Sequence, residues 1–127
     1  MERVFVIIAA ISGCLSVLIG AFAAHGLKQL LSPLAIETVK TGVQYQMYHA
    51  LALLLVGIWC GYKPVTNELK AAGVTFILGS LLFSGSLYAL ALGAPRWLGP
   101  ITPVGGVCFL IGWLLLAVAA WRTKPIA

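Results

Sequence analysis

Charge is scarce in this 127-residue sequence: only 9% of the residues are charged, three are Glu and none is Asp. A soluble domain carries about 25% charged residues, and so small a chain has too much surface to cover with so few. This shortage excludes a soluble monomer, a nucleic-acid-binding module and a disordered tail. The sequence is rich in apolar residues instead, at 61%, with a mean hydropathy of +1.05. It therefore predicts a single transmembrane domain over residues 1–127.

Residues that carry chemistry are also scarce. Without Asp there is no strict Ser-His-Asp triad, and two His residues are too few for a metal site. The three cysteines, Cys14, Cys60 and Cys108, are an odd number and form no C-x-x-C motif, so we read them as packing residues. We predict no catalytic residue, no metal and no cofactor.

Four apolar segments dominate the chain, at about residues 4–24, 42–62, 71–92 and 101–121. At about 1.5 Å per residue, each segment of roughly 20 residues crosses the roughly 30 Å hydrocarbon layer. The connections between them are short, and short connections make consecutive helices antiparallel neighbours. The predicted fold is all-α: four antiparallel transmembrane helices in an up-down bundle, with a short interfacial segment between helices 1 and 2.

Glycine and proline mark the predicted helix ends. Gly26 fits the C′ position that closes helix 1. Ser32 and Pro33 fit the N-cap and first position of helix 2, which then continues to about Gly61 and begins outside the hydrocarbon. The run 93–95, Gly-Ala-Pro, ends helix 3.

Small residues recur along three of the spans, where they predict close approach of helix backbones. The alternative for such a ridge is a groove for a lipid tail or a face for self-association. On helix 1 the small residues are spaced four apart. The residues are Ser12, Ser16, Gly20 and Ala24 on helix 1, Gly79, Ser80, Ser84 and Gly85 on helix 3, and Gly105, Gly106 and Gly112 on helix 4.

Basic residues give the orientation. The side that holds both termini and the 2–3 connection carries five, namely Arg3, Lys63, Lys70, Arg122 and Lys124. The other side carries three, namely Lys28, Lys40 and Arg96. Five against three predicts that both termini are cytoplasmic, by a margin that leaves dual topology open.

Four sequence blocks resemble a known family. They are GAFAAHGLK at 20–28, YQ followed by HALAL within 45–53, LFSGSLY at 82–88, and RWLGPITP with the following GG within 96–106. Their combination and order resemble the domain of unknown function 423 family of bacterial inner-membrane proteins. The resemblance implies a small four-helix protein of the bacterial cytoplasmic membrane, and it supplies no activity. At Ala23 the family more often has Gly, which predicts a change in how closely helix 1 packs.

Uncharged polar and aromatic side chains gather toward one half of the bundle, which we expect to be the outer half. At 100° per residue, one arc of 140° on helix 2 contains four of them, namely Gln44, Tyr45, Tyr48 and His49. Gln46 lies 60° beyond that arc. The four-span topology brings seven residues to this half, and together they form the candidate pocket: His25, Gln44, Tyr45, Tyr48, His49, Tyr88 and Arg96.

These residues leave two interpretations open. Polar side chains are costly at membrane depth and are therefore candidates for a binding site. The same side chains can instead cross-link helices or form an interfacial belt. We expect a non-enzymatic binding or accessory protein with an outer-leaflet polar pocket for a lipid, a quinone or another amphiphile. The alternatives are a small oligomeric transporter or channel and a structural subunit of a larger complex. Expected partners are membrane lipids and a homo-oligomer or larger membrane complex, not nucleic acid.

Overall fold

The computed structural model describes residues 1–125, which form helices and turns and no strand. The four long helices are α1 (Glu2–Ala24), α2 (Pro33–Tyr62), α3 (Asn67–Ala91) and α4 (Ile101–Arg122). Short 3-10 helices at Leu27–Gln29 and Arg96–Leu98 lie in the first and last connections. Four helical stretches are long and apolar enough to cross a membrane, which confirms the all-α membrane class.

Helix α2 is the central element of the fold. In its most apolar window 44% of the residues are buried within the protein, against 17% for α1. It begins as predicted: the Ser32 hydroxyl accepts a hydrogen bond from the Ala35 N–H at 3.2 Å, and Pro33 is the first helical residue. The helix continues through Gly61 to Tyr62. Its 30 residues measure about 45 Å, so part of α2 lies outside a hydrocarbon layer of roughly 30 Å.

Consecutive helices run in opposite directions. Gln46 of α2 bonds to Ser12 of α1, whereas Gly57, farther along α2, lies against Val6, closer to the start of α1. The next two helix pairs show the same reversal, in the contacts Gly42–Ser84, His49–Phe76, Gly105–Phe83 and Gly112–Phe76. Because α1 packs mainly along α2 and α4 packs mainly along α3, α2 and α3 form the middle of the bundle.

Most of the predicted small residues lie at helix contacts. On α1, the Ser16 hydroxyl donates to the Val43 carbonyl, and a Cβ at Gly20 would lie 3.2 Å from the Val43 side chain. Between α3 and α4, Gly79 faces the Phe109 ring and Gly112 faces the Phe76 ring. Two predicted glycines are different: an added Cβ would meet nothing within 4 Å at Gly85 and only one atom, at 3.9 Å, at Gly106.

Gly26 does not close α1 through the conformation expected of a C′ glycine. Its φ is −67°, so it is right-handed. Gly26 makes room for the Phe22 ring instead, because an added Cβ would lie 2.5 Å from that ring and the exposed ring would have to shift. In residues 1–125 the one glycine with positive φ is Gly93, at +97°, directly after α3 as predicted. The methyl group of Ala23, where the resembled family more often has Gly, is fully buried.

The middle of α3 departs from regular α-helical geometry. Residues Ser80–Ser84 form a π-helical segment, which nothing in the sequence predicted. At this segment α4 comes closest to α3, because Gly105 lies directly against the Phe83 backbone. Such π segments are rare and occur frequently at functional sites.

Candidate functional site

A groove opens between α1 and α3 on one side of the bundle. Near the start of α1, Phe5 packs on Gly73 of α3. Farther along, the two helices leave a space of about 400 Å³ between them. Its walls come from Ile8 to Ile19 on α1 and from Ile77 to Tyr88 on α3, and its floor is α2. We call this space the α1–α3 groove. It is within the range of about 300–1,000 Å³ that is typical of small-molecule sites.

The α1–α3 groove extends from the middle of the bundle toward the end of α3. The stretch of α1 from Ile8 to Ile19 is centred on the helix Glu2–Ala24 and extends for about 17 Å at 1.5 Å per residue. The stretch of α3 begins at Ile77, near the middle of its helix, and continues to Tyr88, three residues before the helix ends at Ala91. All of its lining residues belong to the three helices α1, α2 and α3, and none comes from a connection.

Gln46 connects all three helices around the α1–α3 groove. Its Nε2 donates to the Ser12 carbonyl at 3.0 Å and to the Ser12 hydroxyl at 3.4 Å. Its Oε1 accepts the Tyr88 hydroxyl at 2.6 Å. Tyr88 has room to reach Gln46 because its ring packs on Gly42, where an added Cβ would be 2.6 Å from ring carbon Cε1. One amide thus holds α1 and α3 to α2 while leaving the groove between them.

His49 forms part of the groove floor and is 5% exposed. Its Nδ1 donates to the Tyr45 carbonyl at 2.7 Å, and its Nε2 accepts the Trp113 indole N–H at 3.1 Å. A carbonyl only accepts and an indole only donates, so these partners assign the neutral tautomer with the proton on Nδ1. The imidazole also stacks on Phe109, with ring centroids 3.5 Å apart. Because both nitrogens are occupied, His49 has no free basic nitrogen.

Serine hydroxyls on α3 have different environments along the π-helical segment. Ser84 donates to the Gly42 carbonyl at 2.7 Å, and Ser86, just beyond the segment, bonds to Thr102 at 2.6 Å. Ser80, which lines the groove at the start of the segment, has no side-chain hydrogen bond to any residue in 1–125. Ser80 therefore has a hydroxyl that is free to bind another molecule.

The structure distributes the seven candidate pocket residues over several places. Two of them, His49 and Tyr88, line the α1–α3 groove. Tyr45 packs on Phe83, with ring centroids 4.8 Å apart, and Tyr48 is half exposed. Gln44 and Tyr48 line a shallow depression between α1 and α2 instead.

The two charged or ionisable residues from the connections, His25 and Arg96, are exposed at the ends of helices and do not line the groove. The candidate residues on α2 are close together on its surface, but they face different neighbours, because α1, α3 and α4 pack around α2 from different directions. The groove therefore brings together two of the seven candidate residues, and the other five lie outside it.

Sequence reasoning missed four residues of the site: Ser12, Gln46, Ser80 and Trp113. Gln46 fell outside the arc chosen on helix 2, although it is the one Gln of that helix that is buried. Ser12 and Ser80 were interpreted as small residues for packing, with a groove for a lipid tail or a self-association face as the alternative. The signal for Trp113 was its position, since Trp favours the membrane interface and this one lies in the middle of an apolar span.

The described residues contain no group of three or more His, Cys, Asp or Glu that could hold a metal ion. All the residues that line the α1–α3 groove are uncharged, with His49 neutral as its hydrogen bonds assign. The arrangement suits retention of an uncharged molecule by shape and hydrogen bonds. It offers no activated nucleophile or free base.

Comparison with known proteins identifies relatives along the whole chain. Residues 19–106 match the family model described as protein of unknown function DUF423. A UPF0382 membrane protein of Haemophilus influenzae is 40% identical over 126 residues, which cover 99% of this chain and 100% of the relative. The UPF0382 inner membrane protein YgdD of Escherichia coli is 42% identical, covering 97% of this chain and 93% of the relative. YwdK of Bacillus subtilis is 43% identical, covering 93% and 96%.

No solved structure shows significant similarity to this chain. The relatives are described as membrane proteins, in agreement with the four apolar helices, and neither they nor the family model carry a described activity. The chain therefore belongs to the DUF423 family of membrane proteins of unknown function.

Proposed function

We propose that this protein is a non-enzymatic binding protein of the bacterial cytoplasmic membrane that holds one lipid-like amphiphile in the α1–α3 groove. The observation that carries the proposal is the groove itself, about 400 Å³ in volume, between two helices that α2 holds apart. Gln46 and Tyr88 fix this separation by a hydrogen bond at 2.6 Å. A preformed space of this kind costs little to occupy, because the protein does not have to reorganise to bind.

The groove also has the composition of a site for an apolar molecule. Its walls are mainly aliphatic, and a few polar groups occur on its floor and on α3. Ligand sites typically combine a hydrophobic lining with a small number of polar groups that orient the ligand. The absence of a free base that could activate a hydroxyl in this lining supports binding rather than catalysis.

A transporter or channel is less well supported. Such a protein needs a polar path through the bundle, but the half that contains the start of α1 is filled by apolar side chains. Phe5, Leu69 and Phe76 are each at most 2% exposed and belong to one hydrophobic cluster. A cluster of apolar side chains at that level does not provide the lining that a polar path needs.

Two glycine variants test the proposal. An added Cβ atom meets nothing within 4 Å at Gly85 or at Gly13, but only Gly85 lines the groove. Leu forms helices better than Gly, so we expect Gly85→Leu and Gly13→Leu to fold. Native mass spectrometry from mild detergent should detect one bound molecule on the unmodified protein and on Gly13→Leu, and none on Gly85→Leu.

Two outcomes would overturn the proposal. One is an unmodified protein that carries no bound molecule, which would favour the structural-subunit alternative. The other is retention of the bound molecule by Gly85→Leu, which would place the molecule on another surface. The matched Gly13→Leu variant excludes a general effect of a new leucine on solubility or detergent binding.

A further inference from the structure

We infer that the ligand of the α1–α3 groove is a neutral amphiphile with a carbonyl or hydroxyl oxygen that hydrogen-bonds to Ser80, and not a phospholipid bound by its charged headgroup. This inference rests on the proposed function and adds the chemical class of the ligand. Three observations carry it: the absence of charge in the lining, the depth of the groove, and the free hydroxyl at the start of the π-helical segment.

Charge complementarity excludes an ionic headgroup. None of the residues that line the groove is Lys, Arg, Asp or Glu, and His49 is held neutral by Tyr45 and Trp113. A phosphate placed there would lose its hydration without gaining a counter-ion, which costs several kcal/mol or more. A neutral oxygen has a much smaller desolvation cost, which one hydrogen bond offsets.

Depth leads to the same conclusion. The lining extends about 17 Å along α1 and is centred on that helix, and on α3 it ends at Tyr88, three residues before the helix end, so a hydrocarbon layer of roughly 30 Å accommodates it. Phospholipid headgroups reside at the interfaces, but neutral molecules such as quinones and diacylglycerols can place their oxygens deeper.

Ser80 supplies the hydrogen bond. The hydroxyls of Ser84 and Ser86 are engaged with Gly42 and Thr102, whereas the Ser80 hydroxyl has no partner within residues 1–125. In an apolar surrounding, an oxygen acceptor on the ligand is the natural partner of this donor. Ser80 is also the first residue of the π-helical segment, where α3 departs from regular geometry beside the groove.

The test compares three probes: decylubiquinone and dioctanoylglycerol, which are neutral and carry oxygen acceptors, and dioctanoyl phosphatidylglycerol, which is charged. Their affinities for the purified protein are measured by native mass spectrometry titration. We expect at least one neutral probe to bind more tightly than the charged probe. We expect Gly85→Leu to abolish the binding of that neutral probe. Ser80→Ala should lower the affinity for that probe by about fivefold, which is the change expected from the loss of one hydrogen bond of typical strength. Ser80→Thr, which keeps the hydroxyl, should restore most of the affinity.

The outcomes separate the inference from the proposed function. If phosphatidylglycerol binds as tightly as the neutral probes and is also lost in Gly85→Leu, the groove binds lipid but the ligand class inferred here is wrong. The inference is equally wrong if Ser80→Ala leaves every affinity unchanged. If no probe binds the unmodified protein, both fail. Preference for decylubiquinone over dioctanoylglycerol would identify a ring carbonyl as the group recognised. The opposite preference would identify an ester or hydroxyl group of the glycerol.

Discussion

The indole N–H of Trp113 in α4 donates a hydrogen bond to Nε2 of His49 in α2, at 3.1 Å. The two residues are 64 positions apart, and their bond joins helices whose backbones pack mainly on α3 and α1 respectively. Because the same imidazole forms part of the groove floor, this hydrogen bond connects α4 to the candidate site. It also explains why a tryptophan occurs in the middle of a membrane span.

Removal of the indole donor should destabilise the bundle. In Trp113→Phe the buried Nε2 of His49 loses its partner, and we expect a loss of about 1 kcal/mol, within the 1–3 kcal/mol of an unsatisfied buried group. Titration with a denaturing detergent measures this change. Trp121→Phe is the control, since Trp121 is 91% exposed. Equal stability of the two variants would contradict the assigned role of Trp113.

The Tyr88 hydroxyl should contribute measurably to the connection between α3 and α2. Tyr88→Phe removes the donor to Gln46 Oε1, and hydrogen bonds of this kind in membrane proteins average about 0.6 kcal/mol and reach about 1.7 kcal/mol. We expect a loss in that range by the same unfolding measurement. Tyr48→Phe is matched in chemistry, but Tyr48 is half exposed and its hydroxyl has no partner within residues 1–125, so its stability should not change. A loss confined to Tyr48→Phe would disprove the prediction.

Two adjacent glycines of α4 should differ sharply in their tolerance of a methyl group. A Cβ at Gly105 would lie 2.8 Å from Cα of Phe83, and backbone cannot move aside as a side chain can. We expect Gly105→Ala to cost about 1–3 kcal/mol through overpacking. At Gly106 the nearest atom is 3.9 Å away, so Gly106→Ala should be neutral or slightly stabilising. Comparable unfolding midpoints for the two variants would be inconsistent with the close contact at the π-helical segment.

Both termini are predicted to be cytoplasmic, from the five-to-three distribution of basic residues. A reporter that is active only outside the cytoplasm should be inactive when fused at Ala127 and active when fused after Gly93. A cytoplasm-specific reporter at the same two sites serves as the control and should give the opposite result. Activity of both reporters at one site would indicate dual topology, and activity of one reporter at both sites would contradict four spans.

Much of the site could be predicted only as a list of candidates. The seven candidate residues include His49 and Tyr88, because polar side chains within apolar spans are visible in the sequence. Their arrangement could not be predicted, because helical periodicity places a residue on a face without showing which helix that face meets. Gln46 illustrates the difference: it lies outside the polar arc, yet it is the residue that contacts both α1 and α3.

The sequence alone determined the membrane class, the four helices and most of their ends, because hydropathy, capping and chain-breaking residues act locally. The Ser32 cap and the left-handed Gly93 are examples. Only the tertiary structure decided that α1 and α3 separate to leave a groove, that α3 contains a π-helical segment, and that Trp113 reaches His49. These features depend on how side chains 34 to 64 positions apart fill the space between helices, and that fit is a property of the packed bundle as a whole.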